Sequence, residues 1–565
     1  MLGIHAFLPR TRIAYFTMEI GLRPEIHTYS GGLGILAGDT ARSAADLELP
    51  MVFVSIACRE GYLRQEIDPE GRQIDHPDPW DPAEHTQPLG GMVAVQIEGR
   101  PVWIQPWLYE LSSPLGFRIP VIFLDTHVEQ NDPRDRGITD RLYAGDETHR
   151  LKQEIVLGIG GERILRALGF TIETFHLNEG HAALLAVSLL RRYRRQHQDP
   201  SYPVLYDIDR VRQHCVFTTH TPVEAGHDRF AYEDVQRILG DFIELDELKR
   251  LGGADRLNMT RLALNLSAYV NGVAQRHAET TRRLFPGYRI RDITNGAHVP
   301  SWIHPTFARL FDTVAPQWGL EPGVLVRSDQ LADESVWGAH EDAKADLLGE
   351  IFQKTGVSMR RDMPLLGFAR RMTGYKRPDL LFTDLERLRA INAHYPFQLV
   401  MAGKAHPRDE HGKALIREIH GHMRRLGNEI PMAFLPNYDM TLGRKIVSGT
   451  DIWLNTPLPP LEASGTSGMK ASMNGVLNLS VLDGWWLEGC IEGVTGWAIG
   501  EDHAGAVDGA HAGQLYDKLE NTVLPLYYRD RERWVWMMKQ AIAKIGTVFN
   551  SQRMMRRYAA EAYLR

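Results

Sequence analysis

Four apolar runs in the C-terminal half of the chain decide the fold: PLLGFA (364–369), FQLVMAG (397–403), IPMAFLP (430–436) and DIWLNT (451–456). Segments between them, including DLLFTDLERLRAINA (379–393) and GKALIREIHGHMRRL (412–426), place apolar residues at every third or fourth position and predict helices. This alternation of strand and helix predicts right-handed βαβ crossovers and a parallel sheet. Ligands are then expected outside the C-terminal ends of the strands.

The N-terminal half also predicts an α/β structure, although its pattern is less regular. A glycine loop, SGGLGILAGD (30–39), follows the first strand, and MVAVQIEGRPVWIQPW (92–107) alternates like a β-hairpin that turns near residues 99–100. Helices are expected at 149–168 and 181–196. The predicted strands are RIAYFTM (12–18), MVFVSIA (51–57), IPVIFLD (119–125), ETFHLN (173–178) and CVFTTHT (215–221).

The composition is that of an ordinary globular protein with more than one core. A chain of 565 residues, 43% hydrophobic and 24% charged, fits two large domains. We place their boundary in the loop TNGAHVPSW (294–302), which predicts domains 1–298 and 299–530. A C-terminal helix, 531–565, is expected to pack back on the first domain.

Charge and cysteine content exclude several classes of protein. The formal net charge of -7 argues against a nucleic-acid-binding protein, which would present a basic surface. The three cysteines are too few and too scattered for a disulfide framework or a zinc cluster, so a cytoplasmic location is expected. The N-terminus lacks the apolar core of a signal peptide, and no eighteen apolar residues run together, which argues against secretion and a membrane span.

The stretch EASGTSGMK (462–470) places one lysine behind a turn rich in Gly, Ser and Thr, close to a carboxylate. At the start of a helix, such a turn can direct backbone N–H groups and the hydroxyls of Thr466 and Ser467 at a phosphate. Lys470 could then form a Schiff base with the aldehyde of a pyridoxal phosphate cofactor. On spacing alone, the alternative is a glycine-rich connection whose lysine faces solvent.

The loop ARRMTGYKRP (369–378) places four cations at a strand end: Arg370, Arg371, Lys376 and Arg377. A solvated helix start would favour acidic residues, so these cations need another explanation. Guanidinium groups match phosphate oxygens and a lysine adds a compact charge, which indicates an anion site. Salt bridges to a neighbouring carboxylate are the alternative.

The longer run EASGTSGMKASMNGVLNLSVLDG (462–484) resembles the cofactor-lysine signature of the α-glucan phosphorylases, which act on glycogen, starch and maltodextrin. With further matches, the resemblance extends from about Ser30 to Asp483. It implies the glycosyltransferase-B architecture, in which two Rossmann-like domains face each other across a cleft. It also implies pyridoxal 5'-phosphate as the cofactor and, because this chain is short, a short form of the family.

The resemblance gives the cationic loop its roles by position. Arg371 and Lys376 would hold the substrate phosphate, and Arg370 takes the place of a lysine that contacts the cofactor. Thr373 and Gly374 stand where the family usually has His-Glu. Whatever those two side chains do elsewhere has no counterpart here.

The resemblance also assigns the cofactor and sugar contacts. Glu462, with Ser464 and Gly465, would hydrogen-bond glucose hydroxyls and fix the sugar for attack. Tyr438 would pack near the cofactor, with a core aromatic as the alternative. The other matching positions are Gly31, Gly32 and Leu33, whose loop presents backbone amides to the substrate phosphate; His220, Asn295, Glu179 and His181 for the glucosyl unit; and Trp302 in the cofactor pocket.

The pair His176 and His181 is a weak candidate for a metal site. The two residues are five positions apart across a predicted strand end, and no second cluster completes a set of ligands. We therefore expect no metal.

The function implied is phosphorolysis of an α-1,4-glucan. A terminal glucosyl unit would pass to inorganic phosphate, giving α-glucose 1-phosphate with retention, while the cofactor phosphate shuttles a proton through the substrate phosphate. Arg370, Arg371 and Lys376 would offset the repulsion between the two phosphates. The main alternative is a nucleotide-sugar glucosyltransferase similar to glycogen or starch synthase, which needs no cofactor lysine. A silent glucan-binding protein or an aminotransferase-like enzyme fits the motifs less well.

Further expectations concern regulation and partners. The chain begins almost at its first strand, so no counterpart is expected for the N-terminal extension that carries the effector sites of regulated members. The polar stretch 129–147 is the candidate for an active-site gate. Malto-oligosaccharides are preferred over polymer as substrate, and a homodimer is expected by resemblance.

Overall fold

The computed structural model describes residues 3–143, 145–194, 206–501 and 508–564. Its strands in chain order are β1 (Ile13–Phe16), β2 (Met51–Ile56), β3 (Arg64–Ile67), β4 (Gln73–His76), β5 (Gln87–Pro88), β6 (Val93–Ile97), β7 (Arg100–Ser112), β8 (Arg118–Asp125), β9 (Thr174–Asn178), β10 (Cys215–Thr218), β11 (Arg229–Ala231), β12 (Arg256–Asn258), β13 (Tyr269–Gly272), β14 (Arg291–Asp292), β15 (Leu365–Ala369), β16 (Gln398–Ala402), β17 (Met432–Leu435), β18 (Ile452–Asn455), β19 (Leu477–Val481) and β20 (Gly496–Ile499).

Helices alternate with these strands along most of the chain. The α-helices are α1 (Gly32–Asp46), α2 (Pro82–His85), α3 (Pro133–Arg136), α4 (Glu147–Ile155), α5 (Gly161–Ala167), α6 (Leu184–Arg192), α7 (Ile208–His214), α8 (Tyr232–Leu239), α9 (Leu245–Gly252), α10 (Met259–Asn265), α11 (Gln275–Leu284), α12 (Val299–Trp302), α13 (Pro305–Val314), α14 (Asp333–Thr355), α15 (Leu385–His394), α16 (Glu410–Leu426), α17 (Met440–Gly449), α18 (Thr466–Met473), α19 (Trp486–Gly489), α20 (Asp508–Lys518), α21 (Leu524–Arg529), α22 (Arg531–Ala541) and α23 (Ser551–Tyr558).

The first sheet has ten strands in the order β14-β13-β10-β9-β1-β2-β8-β7-β5, with β6 paired to β7. Neighbours from β14 to β8 are parallel, and β5, β6 and β7 add antiparallel pairs at one edge. Along the chain, β2 and β8 are added on one side of β1, whereas β9 and the later strands are added on its other side. The direction of addition therefore reverses between β1 and β9. The loops after these two strands therefore diverge and leave room for a ligand at the C-terminal edge.

The second sheet has six parallel strands in the order β17-β16-β15-β18-β19-β20. Every residue of β15 to β19 is buried, as expected for a parallel sheet covered on both faces. Here the direction of addition reverses between β15 and β18. The loops that carry the cationic motif and the lysine motif follow these two strands, so the fold places both motifs at one switch point.

The predicted α/β class with parallel strands is confirmed, and each strand predicted from the sequence is present. The predicted hairpin is also confirmed: β6 and β7 pair with Ile97 opposite Arg100, which puts the turn at Glu98 and Gly99. Both turn residues have positive φ, 52° and 73°, as a two-residue hairpin turn requires.

Three helix predictions need correction, and in two of them a side-chain cap interrupts the helix. The segment 379–393 is not one helix: a 3₁₀ turn precedes α15, whose first turn is capped by Asp384 accepting the backbone N–H of Arg387. The C-terminal helix breaks in the same way, where Asn550 caps α23 by accepting the N–H of Arg553. In the segment 181–196 the helix α6 ends earlier than predicted, and residues 195 and 196 lie outside the described residues.

Two segments cross between the halves of the chain. Met554, Met555 and Tyr558 of α23 belong to a core cluster formed mainly by α1 and strands of the first sheet, so the end of the chain packs on the first sheet. In the other direction, the hairpin β3–β4 reaches the second half, where Ile67 packs against its core. The exact domain division stays a prediction.

No helix of the described residues is long and apolar enough to cross a membrane.

Candidate active site

Every residue predicted for the site lines one cleft of about 1070 Å³. Its walls include the loops that follow β1, β9 and β10 in the first sheet and β15, β17 and β18 in the second. These loops meet because each stands at the C-terminal end of a parallel strand. The predicted residues in the lining are Gly31, Gly32, Leu33, Glu179, His181, His220, Asn295, Trp302, Arg370, Arg371, Lys376, Tyr438, Glu462, Ser464, Gly465, Thr466, Ser467 and Lys470.

Glu462 is the counter-ion of two of the predicted cations. Its Oε2 accepts hydrogen bonds from Arg370 Nη2 and Lys376 Nζ, each at 2.6 Å, and all three residues are less than a tenth exposed. Burial acts to raise the pKa of Glu462, but the two cations outweigh it and hold the pKa at about 2. The salt bridges considered as an alternative therefore exist, yet both cations still face the cleft.

The other two cations of this loop, Arg371 and Arg377, differ in their contacts. Arg371 makes no ion pair within the described part of the chain, and its side chain is solvent-accessible inside the cleft. It lies beside the glycine loop, since a Cβ at Gly31 would be 3.8 Å from its Nη2. Arg377 instead donates to the backbone carbonyls of Thr456 and Pro457, at 2.9 and 2.7 Å, so it fixes the backbone after β18.

The glycine loop is held by Glu19, a residue that the sequence motifs did not single out. Glu19 Oε2 accepts the backbone N–H groups of Ser30 at 2.6 Å and Gly31 at 3.1 Å. The N–H of Gly31 therefore already has a carboxylate acceptor in this structure, and its role toward a phosphate stays a prediction. The N–H groups of Gly32 and Leu33, in the first turn of α1, remain for a ligand.

Lys470 lies in α18 against the face of Trp302. Its Nζ is 3.6 Å from the centroid of the indole ring, a cation–π distance. Burial lowers the pKa of Lys470 to about 8. The helix begins after Gly465, whose φ of 96° lies in the left-handed region that favours glycine. A lysine with a pKa near 8 is partly neutral at neutral pH, as attack on a carbonyl carbon requires.

Three polar atoms in the cleft fit a polar ligand. Ser464 Oγ, Ser467 Oγ and Asn295 Oδ1 are buried and have no hydrogen-bond partner within the described residues. Buried polar groups are normally paired, so these atoms are suited to ligand hydroxyl and phosphate groups. Two of them flank the start of α18: Ser464 lies six residues before Lys470, and Ser467 lies three residues, or about one turn, before it. The residues present therefore fit a pyridoxal phosphate group attached to Lys470.

The opposite wall of the cleft is organised by Glu179. Its Oε2 accepts the backbone N–H of His220 at 2.7 Å and the hydroxyl of Thr221 at 3.0 Å, while Oε1 accepts the N–H of Gly180 at 2.9 Å. His220 Nε2 lies 2.6 Å from Asn178 Oδ1, and burial lowers the pKa of His220 to about 4, so the ring is neutral. The Glu179 carboxylate therefore fixes the loop after β10 that presents His220.

His181 belongs to a charged cluster that sequence patterns did not reveal. Its Nε2 lies 3.3 Å from Asp228 Oδ2 and 3.3 Å from Arg150 Nη2, and its Nδ1 is buried without a partner within the described chain. Arg150 also stacks on Tyr143, 4.3 Å from the ring centroid, and the Tyr143 hydroxyl donates to Glu19 Oε1 at 2.8 Å. The segment proposed as a gate thus connects to the glycine loop, although residue 144 lies outside the described residues.

His176 and His181 do not form a common site. His176 Nδ1 and Nε2 lie 2.7 Å from the Tyr563 hydroxyl and 2.9 Å from the Thr218 hydroxyl, whereas His181 contacts Asp228. In the chain as described, no three His, Cys, Asp or Glu side chains are grouped to hold a metal ion.

Buried cations and an activated lysine that meet at the switch point of the second sheet define an enzyme that handles phosphate groups. The comparisons agree with this class: the family model for carbohydrate phosphorylases matches residues 223–492. The maltodextrin phosphorylase of Thermococcus litoralis is 39% identical, over 98% of this chain and 70% of that relative. Glycogen phosphorylases of Mycobacterium tuberculosis and Aquifex aeolicus are 36% and 35% identical, over 99% and 98% of this chain and 72% and 86% of their own lengths. The chain belongs to the carbohydrate phosphorylase family.

Proposed function

We propose that this enzyme is an α-1,4-glucan phosphorylase, which transfers a terminal glucosyl unit to inorganic phosphate and yields α-glucose 1-phosphate with retention. The observation that carries the proposal is the meeting of Arg370, Arg371 and Lys376 with Lys470 in one cleft. The named relatives are phosphorylases, and none of them favours the nucleotide-sugar glucosyltransferase alternative.

The architecture we propose is that of glycosyltransferase B, with two Rossmann-like domains facing the cleft. Both sheets support it, because each has a run of parallel strands in which the direction of addition reverses once. We further propose domains 1–298 and 299–530 and a C-terminal segment, 531–565, associated with the first.

Substrate phosphate would bind between the two halves of the chain. Arg371 offers an accessible guanidinium in the cleft, beside the glycine loop, and the N–H groups of Gly32 and Leu33 add donors at the start of α1. Lys376 is available only in competition with Glu462, since its Nζ already donates to that carboxylate. Phosphate entry would therefore draw Lys376 away from Glu462 and leave the carboxylate free to accept from a sugar hydroxyl.

The cofactor proposed is pyridoxal 5'-phosphate, held by Lys470, with Thr466 and Ser467 at the helix start and Trp302 and Tyr438 beside it. When bound, it supplies a phosphate group that passes a proton, through the substrate phosphate, to the departing glucan oxygen. The role of Arg370 is to reduce the repulsion between two neighbouring phosphates in a site of low dielectric constant. Its guanidinium is fixed for this by Asn455 and Glu462.

The sugar would lie between the Glu462 loop and the loop after β10. Ser464 and Asn295 offer unpaired polar atoms, and His220 is held at the cleft as a neutral imidazole. His181, with its free Nδ1, stands near the wall formed by Arg150 and Asp228. We propose that these groups orient the terminal glucosyl unit of a malto-oligosaccharide or glucan for attack.

Borohydride reduction followed by peptide mapping tests the proposed cofactor. A pyridoxyl group is expected on Lys470, and its absence from a folded preparation would remove the basis of the mechanism. Release of glucose 1-phosphate from maltodextrin tests the reaction itself. A preparation that releases none, yet elongates glucans from a nucleotide donor, would establish the alternative.

The role of Lys376 is tested by Lys376→Ala. We expect phosphorolysis to fall by about a hundredfold to a thousandfold, the loss typical of a buried group that stabilises transition-state charge, while the cofactor stays bound. Lys354→Ala is the matched control, because Lys354 forms only a surface ion pair with Glu350 at 3.5 Å. Unchanged turnover in Lys376→Ala would exclude its phosphate role.

Two general properties complete the proposal. We propose a cytoplasmic enzyme, supported by three free cysteines, Cys58, Cys215 and Cys490. We also propose a homodimer, which light scattering on the eluted protein would test. Glucan and phosphate are the proposed partners, with no role for nucleic acid or a membrane.

A further inference from the structure

Asp39 is a buried carboxylate close to the cofactor lysine, and it is the last residue of the stretch SGGLGILAGD, for which no role of this side chain was predicted. It lies on α1, 1% exposed, two turns after Gly32. Both of its oxygens accept the indole N–H of Trp302, at 2.9 and 3.1 Å. A buried carboxylate is costly unless it is paired, and Asp39 is compensated by this indole N–H and by Arg42, whose Nη1 lies 3.5 Å from its Oδ1.

Trp302 connects Asp39 to Lys470. The face of its ring lies 3.6 Å from Lys470 Nζ, and its backbone carbonyl accepts a hydrogen bond from Asn474 Nδ2 at 2.9 Å. The same Asn474 nitrogen donates to the carbonyl of Lys470 at 2.9 Å. The indole is thus fixed at its nitrogen by Asp39, at its backbone by Asn474, and its face supports the lysine side chain.

The charged groups that act on Lys470 from the packed elements are Asp39 and Arg42, both on α1. Arg42 Nη1 is 3.5 Å from Asp39 Oδ1, and its guanidinium also donates to the carbonyls of Gly21 and Leu22. Within α18 the neighbours of Lys470 are uncharged. The charged residues Arg370, Arg371, Lys376 and Glu462 line the same cleft, on the loops after β15 and β18.

We propose that Asp39 is a positioning residue for the cofactor lysine: it fixes the indole on which Lys470 rests and supplies the negative charge that sets the protonation of its amine. This inference rests on the proposed function, in which Lys470 carries pyridoxal phosphate. One helix, α1, would then present the glycine loop to the substrate phosphate and Asp39 to the cofactor lysine.

The negative charge of Asp39 affects cofactor attachment because the neutral form of the Lys470 amine is the form that reacts with the aldehyde. The Lys470 nitrogen bonds to the aldehyde carbon, and the aldehyde oxygen leaves as water with two protons from the nitrogen. A nearby carboxylate favours the protonated amine, so its removal lowers the pKa of Lys470 and extends attachment to lower pH. Removal of a nearby guanidinium acts in the opposite direction.

Absorbance titration of the holoenzyme against pH tests the electrostatic part. Asp39→Asn keeps an acceptor for the indole but removes the charge, and we expect the midpoint of cofactor attachment to move down by about one pH unit. Arg42→Gln should move it up. Midpoints that stay at the wild-type value, or that move in the same direction in both folded variants, would overturn the inference.

The rate at which hydroxylamine removes the cofactor tests the positional part. Trp302→Phe loses the indole N–H, and release should be faster by about tenfold, the ratio expected for one lost charge-assisted hydrogen bond. Adding Asp39→Ala to Trp302→Phe should accelerate release no further if the carboxylate acts through the indole. Independent, multiplying effects would overturn the positional role.

The wild-type preparation separates this inference from the proposed function. If the wild type carries no cofactor on Lys470, the proposed function fails. If it carries the cofactor and the Asp39 variants attach and release it as the wild type does, only the inference fails. Circular dichroism melting of each variant confirms that folded protein is being compared.

Discussion

Among single residues, Glu462 is the carboxylate that pairs with two buried cations, Arg370 and Lys376. We therefore expect the stability of variants at Glu462 to respond to phosphate. Glu462→Gln would leave Arg370 and Lys376 buried beside a neutral amide. Breaking a buried pair by removing one partner costs about 3 kcal/mol in the free energy of unfolding. Phosphate would replace the lost charge, so the variant should be stabilised by phosphate more strongly than the wild type in urea unfolding.

Glu350→Gln is a close control for this prediction. Glu350 also pairs with two lysines, Lys445 at 2.6 Å and Lys354 at 3.5 Å, but these lysines are a third or more exposed. Exposed pairs contribute about 0–1 kcal/mol, so the control should lose little stability and show no added response to phosphate. If phosphate stabilises Glu462→Gln no more than Glu350→Gln, the two cations are not a phosphate site.

The residues of the site can be predicted from the sequence where several functional side chains lie next to one another along the chain. Lys470 and the cationic loop were found because their motifs are contiguous, and the resemblance then supplied positions such as His220 and Asn295. Glu19 and Asp39 could not be found in this way, because each is an ordinary acidic residue until the fold brings it to the glycine loop or to Trp302. The contact between Gly31 and Glu19 was not predicted for the same reason, since the two residues are twelve positions apart in the chain.

At the scale of elements, Asp451 joins helix α14 to the second sheet. Its Oδ2 accepts from Lys344 Nζ and from the backbone N–H of Leu365, each at 2.7 Å, and its Oδ1 is 2.8 Å from His340 Nε2. Burial raises the pKa of Asp451, but Lys344 and His340 outweigh it and lower the pKa to about 2. Asp451→Asn should reduce the free energy of unfolding by about 3–5 kcal/mol, measured in urea.

The pH dependence of this contribution has a definite sign. The folded pKa is depressed below the ordinary value of 3.8, so the stabilisation is present above pH 4 and is lost as pH falls toward 2. The wild type should lose about 2 kcal/mol from this group over that window, and Asp451→Asn should lack this part of the loss. Asp362→Asn is the control, because Asp362 is two-thirds exposed and pairs with an exposed arginine. Parallel pH profiles for wild type and Asp451→Asn would contradict the assignment.

Strands were easier to predict than helix ends, for a physical reason. Buried parallel strands need continuous apolar runs, and such runs are visible in the sequence. Helices end where a side chain competes for backbone N–H groups, and a single Asp384 or Asn550 inside a periodic stretch does not change its period. The short strands β13 and β20 escaped prediction because each is only four residues long and includes a glycine, so its apolar run is too short to stand out in the sequence.

In the whole molecule, the hairpin β3–β4 connects the first half of the chain to the second half through hydrogen bonds. The backbone N–H of Gln65 donates to Asn437 Oδ1 at 3.1 Å, and Gln65 Oε1 accepts the backbone N–H of Asn437 at 2.9 Å. Gln65 Nε2 also donates to the carbonyl of Gly403 at 2.8 Å. Gln73 forms two hydrogen bonds with the backbone of Ala405, both at 2.9 Å. Lys404 Nζ donates back to Leu63 O at 2.8 Å. These hydrogen bonds connect the two halves of the chain, and we expect them to set the separation of the two walls of the cleft.

Removing the hairpin's hydrogen bonds should therefore weaken substrate binding more than it lowers the free energy of unfolding. In the double variant Gln65→Ala, Gln73→Ala, side-chain hydrogen bonds worth roughly 1 kcal/mol each are lost across the cleft, while both sheets keep their cores. We expect KM for phosphate and glucan to rise by about tenfold with a smaller change in kcat, and the radius of gyration in X-ray scattering to increase without substrate. Gln236→Ala, on an exposed face of α8, is the control and should change neither. If the double variant keeps the wild-type KM and dimensions, the hairpin does not set the separation of the two halves.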